Sequence, residues 1–227
     1  MNNLTTKIDQ AINYHKAKEF KKAEDLYNEI ISEKPDYFEI YYHLGNLKIS
    51  LKDFKNAEKY FREAINYKSD FFQAYMNLGN TLKELSKFSE AEKIYNKAIE
   101  LNPNYAKAYY NLGALHQDQK KFEEAEKNLK QTIRIDPNFF QAYLNLGAIL
   151  KSLKKFEEAE QVLKKAINLD PNNAKAYNNL GTVSIDLVKL NEAEKFVKKA
   201  IKLNPNLSEA YTNLDLILKK KELTKII

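Results

Sequence analysis

The chain has 227 residues, 44% hydrophobic and 12% aromatic, a composition that supports a folded core. It has no cysteine, which excludes disulfides and thiolate metal sites, and no apolar run approaches the roughly 18 residues of a membrane span. The formal charge of +6 comes from 37 basic and 31 acidic side chains of interspersed sign, without the concentrated basic face of a nucleic-acid binder.

The N-terminal stretch MNNLTTKIDQAINYHKAKEF lacks the charged-then-apolar pattern of a secretory leader, so a cytoplasmic location is expected. From residue 4 the chain repeats itself. Its glycines are Gly45, Gly79, Gly113, Gly147 and Gly181, each 34 residues after the last. Pro35, Pro103, Pro137, Pro171 and Pro205 lie on a second lattice of the same period, with Ser69 in the gap. Ala23, Ala57, Ala91, Ala125, Ala159 and Ala193 form a third, and Phe20, Phe54, Phe88, Phe122, Phe156 and Leu190 a fourth. Units fall at 4–37, 38–71, 72–105, 106–139, 140–173 and 174–207.

Numbering each unit from 1 puts glycine at position 8. Positions 4, 7 and 11 (Tyr75, Leu78 and Leu82 in the third unit) then share one face of a first helix. Phe88, Ala91, Tyr95, Ala98 and Ile99 form the apolar stripe of a second helix. Glycine and alanine are small where the two helices approach, and proline ends the second helix. One such hairpin cannot bury its own stripe, so neighbours must stack. Lys18, Lys52, Ser86, Lys120, Lys154 and Val188 occupy the intervening turn; a left-handed backbone there costs each about 1 kcal/mol. The first unit carries Lys7, Gln10 and Ala11 where later units have Tyr, Leu and Gly. A helix over 208–222 carries Asp215 in place of glycine, as expected of ends that lack a further neighbour.

The order aromatic-x-x-Leu-Gly, then Ala-x-x-x-aromatic, then Pro, resembles the tetratricopeptide repeat. Tyr41, Tyr75, Tyr109, Tyr143 and Tyr177 stand where that family often has tryptophan. The resemblance implies an all-α, right-handed superhelical solenoid of 34-residue helix-turn-helix repeats, one domain over 1–227, closed by a C-terminal capping helix.

No sequence pattern of catalysis is present. His15, His43 and His116 lie in different units without acids at ligand spacing, and Glu123/Glu124 and Glu157/Glu158 suit the N-termini of second helices. There is no phosphate-binding loop or nucleophile motif, so no enzyme, cofactor or metal is expected.

Function is therefore sought on the first helices, whose positions 2, 5, 6, 9, 12 and 13 oppose the buried face and, in the resembled family, line a concave groove. Position 6 is Asn77, Asn111, Asn145, Asn179 and Asn213, and Asn46 and Asn80 add position 9. An asparagine amide carries the donors and acceptor of a peptide bond. Helices spaced roughly 8–10 Å apart, facing a strand that rises about 3.3 Å per residue, meet about every third residue of an extended peptide. This ladder resembles the repeat region of O-GlcNAc transferases, which implies a non-catalytic scaffold for an extended polypeptide. Tyr42, Met76, Tyr110 and Leu144 are expected to supply apolar contact and Lys107 a charge. These side chains are expected to be exposed in the free protein. A carboxylate clamp is incomplete, because Tyr42 and Asn111 stand where it needs Lys and Arg. The alternative is a structural repeat region associated with or fused to an enzyme such as a glycosyltransferase or sulfotransferase. The partner is expected to be a protein or peptide, with neither nucleic acid nor membrane, and the chain a monomer.

Overall fold

The computed structural model describes the backbone of residues 2–226 and the side chains of 4–223. Thirteen helices and no strand occur among the described residues: α1 (Asn2–Lys16), α2 (Phe20–Glu33), α3 (Phe38–Ser50), α4 (Phe54–Tyr67), α5 (Phe72–Glu84), α6 (Phe88–Leu101), α7 (Ala106–Asp118), α8 (Phe122–Ile135), α9 (Phe140–Ser152), α10 (Phe156–Leu169), α11 (Ala174–Asp186), α12 (Leu190–Leu203) and α13 (Ser208–Ile226). The chain divides into two compact units, Met1–Asn111 and Leu112–Ile227, with the division inside α7.

In the first unit α1 to α6 pack each on the next, and α1 touches α3 as α3 touches α5. In the second, α8 to α13 do the same, and α9 touches α11 as α11 touches α13. The lattices explain this packing. Ala91, Tyr95 and Ala98 are fully buried on α6, and Leu78 and Leu82 on α5 face them. Gly79 permits the approach: a Cβ there would lie 2.6 Å from the Tyr95 ring, closer than carbon atoms pack. Position 4 gains a second role from being tyrosine, because its hydroxyl reaches back to the linker. Tyr41 donates to the Pro35 carbonyl at 2.8 Å, Tyr75 to Ser69 at 3.2 Å and Tyr211 to Pro205 at 3.1 Å.

The turn between the helices of each hairpin is left-handed. Lys18, Lys52, Ser86, Lys120, Lys154 and Val188 have φ between 58° and 63°. Backbone bonds lock it: in the third repeat Ser86 N–H donates to the Lys83 carbonyl and Lys87 N–H to Leu82.

Ion pairs absent from the sequence reading link successive repeats. A glutamate of one second helix receives a lysine from its own helix and another from the next hairpin. Glu126 meets Lys130 at 2.7 Å and Lys155 at 2.8 Å; Glu160 meets Lys164 at 2.8 Å and Lys189 at 2.7 Å. Glu58 takes Arg62 and Lys87 in the same way, both at 2.9 Å. α13 runs 19 residues, longer than the 13 of the other complete first helices, and its extra turn brings Lys221 to Glu194 at 2.5 Å. Asp215 is exposed there, while Ile217 and Ala210 are fully buried against Val197 and Ala200.

Candidate functional site: the amide-bearing face of the first helices

Positions 5, 6 and 9 fall on the face of the first helices away from the hairpin core, but their side chains are less exposed than the sequence reading expects. Asn46, Asn77, Asn80, Asn111, Asn145, Asn179 and Asn213 are all half-buried, as are Tyr42, Tyr110 and Leu144. Met76 is a clear departure, at 4% exposure, because the adjoining helices enclose it. It belongs to the core and has no surface to offer. Lys107 is exposed.

The half-burial has a chemical cause. The asparagines bond one another across the repeat boundary. In the first unit Asn77 Nδ2 donates to Asn46 Oδ1 at 2.7 Å and to the Tyr42 hydroxyl at 3.3 Å. Asn111 Nδ2 donates to Asn80 Oδ1 at 2.8 Å, and the same oxygen accepts from the Tyr95 hydroxyl at 2.7 Å. Position 6 of one repeat thus donates to position 9 of the repeat before it. The network has a polarity. Both Asn77 amide protons are engaged, which leaves Asn77 its carbonyl oxygen; the Asn80 oxygen holds two donors, which leaves Asn80 its amide protons. Asn46, Asn77 and Asn80 line a niche of about 100 Å³ with Ile49 on this face.

The second unit is arranged differently. Position 9 is Ala114, Ala148 and Thr182, so the same pairing is unavailable. Asn213 Nδ2 donates instead to Asn178 Oδ1 at 2.8 Å, and Asn178 is buried at 4% exposure. The Asn179 amide makes no side-chain hydrogen bond among the described residues. Tyr95 and Asn178 are the members of this network that sequence reasoning missed. The signal for Tyr95 was a hydroxyl on a buried stripe, since a buried phenol needs a partner.

The histidines pack with their neighbours. His15 Nε2 lies 3.0 Å from Ser50 Oγ, His43 stacks on Tyr27, and Asn128 Nδ2 lies 3.1 Å from His116 Nδ1. Burial lowers the pKa of His15 and His43, which keeps both neutral at pH 7. No group of three or more His, Asp or Glu side chains among the described residues is placed to hold a metal. No helix among them is long and apolar enough to cross a membrane.

Paired helices on a 34-residue period, each pair stacked on the next within each unit, define a tetratricopeptide-type helical repeat. More narrowly, the chain belongs to the family of the cilia and flagella-associated protein 70 C-terminal domain, whose model matches residues 3–214. No curated protein matches it. Among solved structures it is similar to YrrB, described as a TPR protein with an unusual peptide-binding site, at 22% identity and a TM-score of 0.71, over 82% of this chain and 96% of that one. PilF of Pseudomonas aeruginosa gives 18% identity and a TM-score of 0.77 over 92% and 95% of the two chains. PilW, a type IV pilus biogenesis factor, gives 21% and 0.77 over 93% and 98%. At these identities the likeness is one of fold.

Proposed function

We propose that this protein is an interaction scaffold that binds an extended polypeptide along the first helices of its repeats. The observation that carries the reading is the polarity of the amide network in the first unit. With Asn77 left an acceptor and Asn80 left donors, adjacent repeats offer the complement of a peptide N–H and C=O. Asn46 and Asn111 extend the series, and half-buried Tyr42 and Tyr110 supply the apolar contact. Asn145, Asn179 and Asn213, with Leu144, carry the same role in the second unit. Exposed Lys107 gives the site a cation for an acidic side chain. The peptide-binding site named for YrrB agrees with this reading.

The network supplies its own test. In Asn46→Asp and Asn80→Asp the carboxylate still accepts from Asn77, Asn111 and Tyr95, so folding persists while the free donors disappear. Peptides selected from a random library on the wild-type protein are expected to bind the double variant about twofold to a hundredfold more weakly, the loss of one or two net hydrogen bonds of about 0.5–1.5 kcal/mol each. N-methylation of the peptide backbone is expected to weaken binding to the wild type similarly. If neither change alters affinity measured by calorimetry, the asparagines hold the repeats together and bind nothing.

A further inference from the structure

Two tyrosines occupy the same register in the first unit, and their hydroxyls fare differently. Tyr95 donates to Asn80. Two repeats earlier stands Tyr27, and there the residue matching Asn80 is Ile12. The Tyr27 side chain is fully buried, and its hydroxyl finds no hydrogen-bond partner among the described residues. A buried phenol without a partner is destabilising unless something outside the fold completes it.

Open space lies beside the Tyr27 side chain, although the hydroxyl itself is covered. Tyr27 lines a cleft of about 560 Å³ between α1, α2 and α3, a volume in the range of small-molecule sites. Polar groups are graded by depth. Inside are neutral polar groups: the Tyr27 hydroxyl, the Asn46 amide, the His43 imidazole, and His15 with Ser50, whose ring nitrogen and hydroxyl already bond each other; burial holds both imidazoles neutral. At the rim are Lys16 and Lys18, both exposed and without an ion pair among the described residues. The nearby acid, Glu19, is tied to Lys22. Ile12 and Phe20 provide an apolar wall.

We propose that this cleft binds the carboxylate of an acid with an apolar body, one oxygen accepting from the Tyr27 hydroxyl and the other facing Lys16 and Lys18. A monoanion suits the gradient, because the interior holds donors but no full charge to offset a dianion. The apolar body lies against Ile12 and Phe20. A free organic acid and the end of a polypeptide share this chemistry. The cleft overlaps the amide network only at Asn46, and it stands or falls without the peptide-binding reading.

The test is an NMR titration of the His15 and His43 ring protons with four probes: benzoate, N-acetylphenylalanine, N-acetylphenylalanine amide and phenyl phosphate. Saturable shifts with benzoate or N-acetylphenylalanine, about tenfold tighter than with the amide, are expected; the tighter of the two carboxylates tells a free acid from a chain end. Tyr27→Phe keeps the ring, as Phe61 does one repeat later, so the fold is expected to persist. Its free protein should melt at or above the wild-type temperature, because an unpaired hydroxyl is removed, while carboxylate affinity falls about tenfold. Equal binding of the amide would show an apolar cleft only, and tighter phenyl phosphate would show a dianion site. Either result overturns the proposal, as does the absence of saturable shifts or a Tyr27→Phe protein with wild-type affinity.

Discussion

The two units build the same hairpins from different contacts. In Met1–Asn111 the residue beneath the first helix is a ring (Tyr27, Phe61, Tyr95), and position 9 carries asparagine twice. In Leu112–Ile227 the corresponding residues are Leu129, Leu163 and Val197, and position 9 is Ala114, Ala148 and Thr182. At Tyr95 the two differences meet, since its hydroxyl donates to Asn80; Phe61 has no hydroxyl to offer Asn46, and Tyr27 is matched by Ile12. Inter-repeat glutamate–lysine pairs run through both units. The period therefore fixes the hairpin, while the polarity of its amide face varies from unit to unit.

The largest effect should come from the end of the second unit. Removing residues 208–227 uncovers the aliphatic cluster around Val197 and Ala200, and lowered stability with self-association in sedimentation is expected. Ile217→Ala is the milder form, costing roughly 2–5 kcal/mol. A truncated protein that stays monomeric with an unchanged melt would show that α13 does not cover this core.

Among the glycines Gly113 stands apart from the other four. A Cβ at Gly79 would lie 2.6 Å from Tyr95 Cε1, whereas one at Gly113 would lie 3.2 Å from Leu129 Cγ. Gly79→Ala is expected to cost about 1–3 kcal/mol through overpacking. Gly113→Ala should cost little, since helix propensity returns about 1 kcal/mol and Leu129 can shift. Chemical denaturation of both variants checks the order; equal losses would mean that the ring and the leucine yield alike.

Val188→Gly should stabilise by about 1 kcal/mol. Its backbone is left-handed at φ 59° and its β-branched side chain is 75% exposed, so nothing packed is lost. A thermal melt at or below the wild-type temperature would show that the turn gains from its side chain.

The smallest effect is electrostatic. Hydrogen bonds from Lys198 and Lys221 hold Glu194 down to about 2 from an ordinary 4.5, and hydrogen bonds from Lys164 and Lys189 also lower Glu160. Folded pKa values below the unfolded ones give stability that is complete above pH 4.5 and is lost as pH falls toward 2. Lys189 and Lys198 are substantially exposed, so solvent screens these pairs and the effect is small. Glu160→Gln should flatten the acid limb of the melt slightly, and an identical limb would assign it to other carboxylates.

Much of this architecture was legible because a 34-residue period is a covalent fact and a helix converts spacing into faces. The hairpins, the small residues at each helix crossing and the left-handed turns follow from that conversion within one repeat. The amide face followed only in part. Positions 6 and 9 were found, but their mutual bonding and the burial of Met76 were not. Those depend on how far one first helix slides along the next, and no spacing within a single repeat encodes that register. Tyr27 makes the same point. Its place on the core stripe was set by sequence, but its hydroxyl was left unpaired by Ile12, an α1 residue brought beside it by the packing of α1 on α2. Local sequence determined which atoms each repeat presents; tertiary stacking decided which of them are already bonded and which remain for a ligand.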